Sequence, residues 1–368
     1  MKHINFLIKP SSSLCNISCD YCFYSDVAFN RAHPSFGFMS IETLEKLVKE
    51  AFFTAKNSIT FSFQGGEPTL MGVEFYKKFH NFVKKYNTNN IFVNFAIQTN
   101  GILLNKEWAD LFKEEKYLVG ISLDGNKETH NFFRKDKLGN GTFSQTLKNI
   151  KLLQKNNIDF NILFVVNKKT VENLKDIYLF FKNSKFKYLQ FIPCLDKLDN
   201  STGDYSLTEQ EYGFFLDELF KLWNNDLKNK KYTSIRFFDN LLAIILNNQV
   251  ESCDMNGHCS VNTVVESNGN IYPCDFYVLD EFLLGNIHST PLKDILTSQK
   301  AFDFVKSSLK FDSECKTCNY FNLCKSGCRR HKNFQDGTYK NRFCNSFKYF
   351  YSKNIKELFQ SAHLCCTK

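Results

Sequence analysis

The sequence predicts an α/β protein, a partial (β/α)6 barrel followed by a small, cysteine-rich α+β unit. Two observations lead there. Short β-rich runs alternate with amphipathic helical patterns as far as about residue 192, and beyond about residue 235 the alternation stops and cysteines become dense. The runs are Ile4–Ile8, Ile59–Phe63, Ile91–Ile97, Leu118–Leu123, Phe160–Val166 and Tyr188–Ile192. Six strand–helix repeats joined by short loops predict parallel strands with helical crossovers, because a parallel pair needs a long connection. Six such units can curl into part of a barrel, whose site then forms at the C-terminal ends of the strands. The clearest helix is Ile41–Phe53, with Ile41, Leu44, Leu47, Val48, Ala51 and Phe52 on one face and Ser40 placed to cap it. Helices are also expected at about Leu207–Leu227 and Asp239–Leu246. Val264–Glu266 and Ile271–Tyr272 flank Asn268-Gly269, a hairpin signal. The expected division is 1–236 for the barrel and 237–368 for the second unit.

Composition excludes several classes. Hydrophobic residues make up 43% of the 368, which is a globular and not a disordered balance. No apolar run reaches the roughly 18–20 residues that span a bilayer, and Met1–Lys9 is too short an apolar stretch for a secretory signal. A cytoplasmic protein is expected, with no membrane partner and a monomer as the default. The formal charge of +9 raises nucleic acid as a partner. Lysines are scattered over helical faces, with no basic block interleaved with aromatics, so a solvated surface and no nucleic acid is the expectation.

The fourteen cysteines are the strongest signal. In a reducing compartment disulfides are rare, and clustered Cys point to metal or catalysis. Cys15, Cys19 and Cys22 lie in C-x3-C-x2-C spacing after the first strand. Three thiolates can hold three irons of a cubane and leave the fourth open to a cofactor or substrate. Structural zinc wants four ligands, and no fourth Cys or His lies nearby. Further on come Cys253, Cys259, Cys274, then Cys315-x2-Cys318-x5-Cys324-x3-Cys328, and Cys344: eight, enough for two closed cubanes. Cys194, Cys365 and Cys366 remain, the first reading as a small buried apolar residue.

The segment Cys15-Asn16-Ile17-Ser18-Cys19-Asp20-Tyr21-Cys22, with an aromatic before its last Cys, resembles the signature of radical S-adenosylmethionine (SAM) enzymes. Gly65-Gly66-Glu67-Pro68, after the second strand, resembles their glycine-rich SAM segment, where glycine lets the backbone approach the methionine amino group. The C-terminal cysteines resemble the SPASM extension of peptide-modifying members. The resemblance implies three [4Fe-4S] clusters, one on Cys15, Cys19 and Cys22, one on Cys253, Cys259, Cys274 and Cys328, and one on Cys315, Cys318, Cys324 and Cys344.

Leu7-Ile8-Lys9-Pro10, Cys22-Phe23-Tyr24, Phe63-Gln64-Gly65-Gly66-Glu67-Pro68-Thr69-Leu70 and Tyr272-Pro273-Cys274-Asp275-Phe276-Tyr277 look like anaerobic sulfatase-maturating enzymes, from about residue 4 to 350. That resemblance implies oxidation of a Cys or Ser in a sulfatase Cys/Ser-x-Pro/Ala-x-Arg motif to Cα-formylglycine. A 5′-deoxyadenosyl radical would abstract a Cβ hydrogen, and a low-potential ferredoxin or flavodoxin would donate electrons. It also implies Asp275 as the base, Tyr24 and Gln64 beside the substrate, and Tyr21, Gly66, Glu67, Ser122, Arg134 and Leu195 around SAM. Another SPASM peptide modifier, forming a thioether or a crosslink, is the alternative.

Overall fold

The computed structural model describes residues 1–332 and 339–366. Its strands are β1 (His3–Lys9), β2 (Ile17–Cys19), β3 (Ser58–Phe63), β4 (Phe92–Thr99), β5 (Leu118–Ser122), β6 (Arg134–Asp136), β7 (Phe160–Val166), β8 (Tyr188–Pro193), β9 (Ser234–Ile235), β10 (Val264–Glu266), β11 (Asn270–Tyr272) and β12 (Gly285–Asn286). All six expected strands form, and they neighbour one another in the order β1-β3-β4-β5-β7-β8, every pair parallel. The sheet stays open, with β12 and β9 at its edges, as a partial barrel requires.

Alternation along each strand decides what lies inside the curve. In β3, Ile59, Phe61 and Phe63 are fully buried, whereas Ser58, Thr60 and Ser62 are only half-buried. The apolar row meets the crossover helices. Phe61 stands edge-on to Phe79 at 5.1 Å, and Phe63 to Tyr76 at 4.9 Å, both partners lying on the helix Val73–Tyr86. Part of the large phenylalanine complement is spent in this layer. The other face, with Ser62, Gln98, Gly120, Asn161 and Gln190, lines open space inside the curve. The helix Ile41–Thr54 begins where Ser40 accepts a hydrogen bond from the Thr43 N–H, and it buries Leu44, Leu47, Val48 and Ala51.

Two expected boundaries shift for local reasons. The fourth strand starts at Phe92 because the Ile91 N–H is taken by the Asn87 side chain at 2.7 Å in a preceding turn. The helix expected from Asp239 starts at Arg236, since Asp239 sits in its first turn and accepts from Tyr232 and Ser234. The expected division at 236/237 falls in that same turn.

The hairpin forms as read, but it joins the barrel. β10 pairs parallel to β1 with Lys9 opposite Glu266, and β11 and β12 extend the sheet antiparallel. The last helix, Cys344–Cys366, returns to the helix Glu209–Lys228. There the Asn354 side-chain amide donates to Asp217 at 2.7 Å and the Ser361 hydroxyl donates to Asn224 at 2.8 Å. Lys9 (1% exposed), Arg31 (6%) and Glu266 (0%) form a buried ion cluster at the β1–β10 joint. Arg31 Nη1 lies 2.6 Å and Lys9 Nζ 3.8 Å from Glu266 Oε2.

Removing the anion would strand two buried cations. Glu266→Gln is expected to destabilise the metal-free chain by about 3–5 kcal/mol, read as a lower denaturant midpoint. Burial pushes the Glu266 carboxyl up, but Lys9 and Arg31 outweigh it and hold it below its ordinary value of 4.5. The contribution is therefore whole above that pH and is lost as pH falls through the lower folded-state value. The gap between wild type and variant should close in acid.

Candidate active site

The loops that follow the strands converge on one cavity of about 1330 Å³, open to solvent. It is lined by Cys15, Cys19 and Cys22, by Tyr21, Tyr24, Gln64, Gly66, Glu67, Ser122, Arg134 and Leu195, and by Asp275 from the cysteine-rich unit. Every residue expected from the sequence to serve the first cluster, SAM or the substrate is thus at this cavity.

The first cysteine site is built by two short strands and a helix start. Cys19 ends β2, opposite Arg134 of β6, and Arg134 Nη1 lies 3.8 Å from its sulfur. Cys22 caps the helix Phe23–Phe29. The Asn100 amide lies 3.8 Å from Cys15 Sγ. Burial raises the Cys15 and Cys19 thiols to about 11 and about 12, so they ionise as ligands only beside a positive centre such as iron.

The glycine turn is forced by crowding. Gly66 has φ +54°, and a Cβ there would lie 2.1 Å from the Leu14 carbonyl oxygen of the cysteine loop. The Glu67 N–H donates to that carbonyl at 2.8 Å. Glu67 itself is a buried strut. Its Oε1 accepts from the Thr69 N–H and hydroxyl and from the Thr99 hydroxyl, and its Oε2 accepts from the Asn100 N–H at 2.8 Å. Both oxygens are engaged within the chain, tying the glycine turn to the end of β4. Ser122 accepts from the Gln98 amide at 3.1 Å, and the Gln98 side chain occupies the room left by Gly120.

Asp124 is the residue that sequence reading missed here. It is fully buried and receives Tyr21 Oη, Arg134 Nε at 2.8 Å and the Val165 N–H at 3.0 Å. One carboxylate therefore fixes both an expected SAM contact and the guanidinium beside Cys19. In the sequence it stands in Asp124-Gly125, which reads as a turn. Lys9 and His331 were missed as well. Lys9 stands over the Tyr24 ring at 4.8 Å, and His331 lines the cavity.

Asp275 is 9% exposed. Its Oδ2 accepts from the Tyr24 hydroxyl at 2.5 Å and from the Gln64 amide at 3.4 Å. Its Oδ1 is buried without a hydrogen-bond partner. Burial pushes the carboxyl up, while Lys9 and the Tyr24 hydrogen bond pull it back.

The eight remaining ligand candidates fall into two groups. Cys315, Cys318, Cys324 and Cys344 ring one cavity of about 460 Å³. The thiols that act electrostatically on Cys328 include Cys253 and Cys259, and those acting on Cys274 include Cys328 and Cys259. Among the described residues, no three His, Cys, Asp or Glu side chains converge as around a single metal ion. A set of four thiols around a space suits the corners of a cubane, where a zinc ion would draw them to one centre. Cys194 is buried at the cavity wall, as a small apolar residue would be.

Residues 10–181 match the radical SAM superfamily, and residues 253–319 match SPASM, an iron–sulfur cluster-binding domain. A cysteine-type anaerobic sulfatase-maturating enzyme of Clostridium novyi is 51% identical over 97% of both chains. The chain belongs to the anaerobic sulfatase-maturating enzymes. A serine-type anaerobic sulfatase-maturating enzyme of Bacteroides thetaiotaomicron is 32% identical, over 90% of this chain and 84% of its own. Native anSMEcpe with bound AdoMet and the Cp18Cys peptide superposes with a TM-score of 0.93 at 43% identity, covering 98% of this chain and 99% of that one. Like other family members, this is a radical SAM oxidoreductase with iron–sulfur clusters. Among its described residues no helix is long and apolar enough to cross a membrane.

Gly66→Ala would drive a methyl into the Leu14 carbonyl and push the glycine turn off the cysteine loop. SAM binding to the reconstituted variant should weaken about tenfold or more, some 1.4 kcal/mol, with helical circular dichroism unchanged.

Proposed function

We propose that this sulfatase-maturating enzyme oxidises a cysteine in a Cys-x-Pro/Ala-x-Arg segment of a sulfatase to Cα-formylglycine, with Asp275 as the base. Cysteine is favoured over serine because the cysteine-type relative stands at 51% identity and the serine-type at 32%. The observation that carries the base assignment is the state of the Asp275 carboxylate. One oxygen is held by Tyr24 and Gln64, and the other is buried and unpartnered beside the cysteine loop.

Cys15, Cys19 and Cys22 would hold the open cluster. Tyr21, Gly66, Ser122, Arg134 and Leu195 would enclose SAM, with Glu67 holding the glycine turn. Cys253, Cys259, Cys274 and Cys328 would hold one auxiliary cluster, and Cys315, Cys318, Cys324 and Cys344 the other. When bound, these groups supply a 5′-deoxyadenosyl radical that removes a Cβ hydrogen from the target and an acceptor for the electron that must then leave.

The chain's own residues do the rest. Tyr24 and Gln64 fix the carboxylate plane, so that Oδ1 faces the target thiol and takes its proton. The cavity's enclosure by Phe23, Phe276 and Ile192 restricts water around the reacting carbon. The guanidinium of Arg134, fixed by Asp124, offers a donor to the SAM carboxylate. Residues 1–236 would form the radical core and 237–368 the auxiliary-cluster unit. The enzyme would work in the cytoplasm as a monomer, reduced by a low-potential ferredoxin or flavodoxin.

Reconstituted protein incubated anaerobically with SAM, a strong reductant and a Cys-x-Pro-x-Arg peptide should convert the cysteine side chain from CH2SH to CHO and release 5′-deoxyadenosine. Mass spectrometry and chromatography read the two products. Asp275→Asn should lower aldehyde formation by roughly 10²–10⁴-fold, the range for a general base, while 5′-deoxyadenosine continues to form. Aldehyde formation at the wild-type rate would remove Asp275 from the mechanism. A thioether or crosslink in place of the aldehyde would favour another SPASM chemistry.

A further inference from the structure

Lys332 is buried, at 7% exposure, in the cysteine-rich unit. Lysine is almost never buried to this degree without a partner. Among the described residues no carboxylate is paired with it within 4.0 Å, and its ammonium donates to the Lys310 carbonyl at 3.1 Å. Two fixed points hold it there. Its backbone bridges to Asn341, which lines the cavity ringed by Cys315, Cys318, Cys324 and Cys344. It also follows by one residue the short turn Arg329–His331, whose cap is Cys328 of the other set.

Its surroundings explain the burial. The groups that act on it electrostatically are Cys259, Cys315, Cys328 and Cys324, two from each auxiliary set. Desolvation works against the ammonium, and the ionised thiols work for it. Four thiolates around a [4Fe-4S] core give a net negative centre, and two such centres would flank this one cation.

We propose that Lys332 is a charge shared by the two auxiliary clusters, a positioning residue whose buried ammonium raises the reduction potential of both. A fixed positive charge in a low-dielectric surrounding favours the more negative, reduced state of each cluster. The inference rests on the reading that the eight C-terminal cysteines hold two clusters. It does not depend on which peptide the enzyme modifies.

The test uses the reconstituted full-length chain with Cys15, Cys19 and Cys22 changed to Ala, so that only the auxiliary clusters report. Lys332→Met removes the charge and keeps the stem, Lys332→Gln keeps a donor for the Lys310 carbonyl, and Lys332→Arg keeps the charge. Potentials are followed by electron paramagnetic resonance during anaerobic redox titration, with iron and sulfide counted first. Both couples should shift towards the oxidised form about tenfold or more in the two neutral variants, about 59 mV for one electron. Lys332→Arg should stay near the parent. Unchanged couples in a neutral variant with full iron content would overturn the proposal, as would a shift confined to one couple. Loss of iron from both neutral variants would also overturn it, by making Lys332 a residue of assembly. A parent protein without two clusters would instead refute the reading beneath it.

Discussion

The pairing of β10 with β1 is the contact on which the rest of the site depends. It sets Lys9 opposite Glu266, with Arg31 closing the cluster, in a place where no water compensates a charge. Such a cluster contributes little net stability, since desolvation of the ions consumes most of their attraction. What it supplies is register. Slipping by one residue would turn Lys9 and Glu266 to opposite faces and leave each charge buried alone. With the register fixed, the chain eight residues beyond Glu266 delivers Cys274 and Asp275 to the mouth of the barrel. Asp275 there meets Tyr24, which follows the last cysteine of the first site, and Gln64, which follows β3. Three segments far apart in sequence become one constellation because a two-charge pair aligns two strands.

The barrel contributes by keeping its inner face polar. Ser62, Gln98, Asn161 and Gln190 leave the interior open, while Ile59, Phe61 and Phe63 bind the outer helices. A partial barrel whose inward residues were all large and apolar would fill itself, as closed eight-stranded barrels do. Here the space reaches the catalytic cavity, since Gln64, Gln98, Leu163 and Ile192 line both. The glycine turn after β3 is the counterpart at the rim, where close approach of two backbones leaves no room for a Cβ at Gly66.

Much of this was legible in the sequence, for identifiable reasons. The six strands were visible because each is a short apolar run bounded by turn residues, and the helix Ile41–Thr54 because its apolar positions recur with helical period behind a serine cap. The cysteines were visible because spacing reports ligation directly. The grouping of the last eight was not, since four points on a chain do not say which of them meet. Cys328 lies four residues from Cys324 yet belongs with Cys253, and only the fold sets them apart. Asp124 was hidden by its Asp-Gly context, and Lys9 by its neighbour Pro10. Their roles depend on Tyr21 and Arg134 in one case, and on Glu266, 257 residues away, in the other. The join of the hairpin to β1 was likewise invisible, because three-residue strands carry no record of their partner.

The chain's positive charge takes on a meaning from the same geometry. Eleven cysteines are placed to become thiolates, and burial holds their bare thiols protonated, Cys15 near 11 and Cys324 near 11 among them. Cluster assembly must therefore release protons and bring negative centres into the interior. Arg134 beside Cys19, Lys332 among four auxiliary thiols, and Lys340 and Lys348 at the rim of the Cys344 cavity are placed to meet that charge. Lys340 and Lys348 also reach Glu314, so the cationic rim is itself anchored. A formal +9 that reads as nucleic-acid affinity from composition alone becomes, once the thiols are located, a set of cations arranged around sites that turn negative on loading.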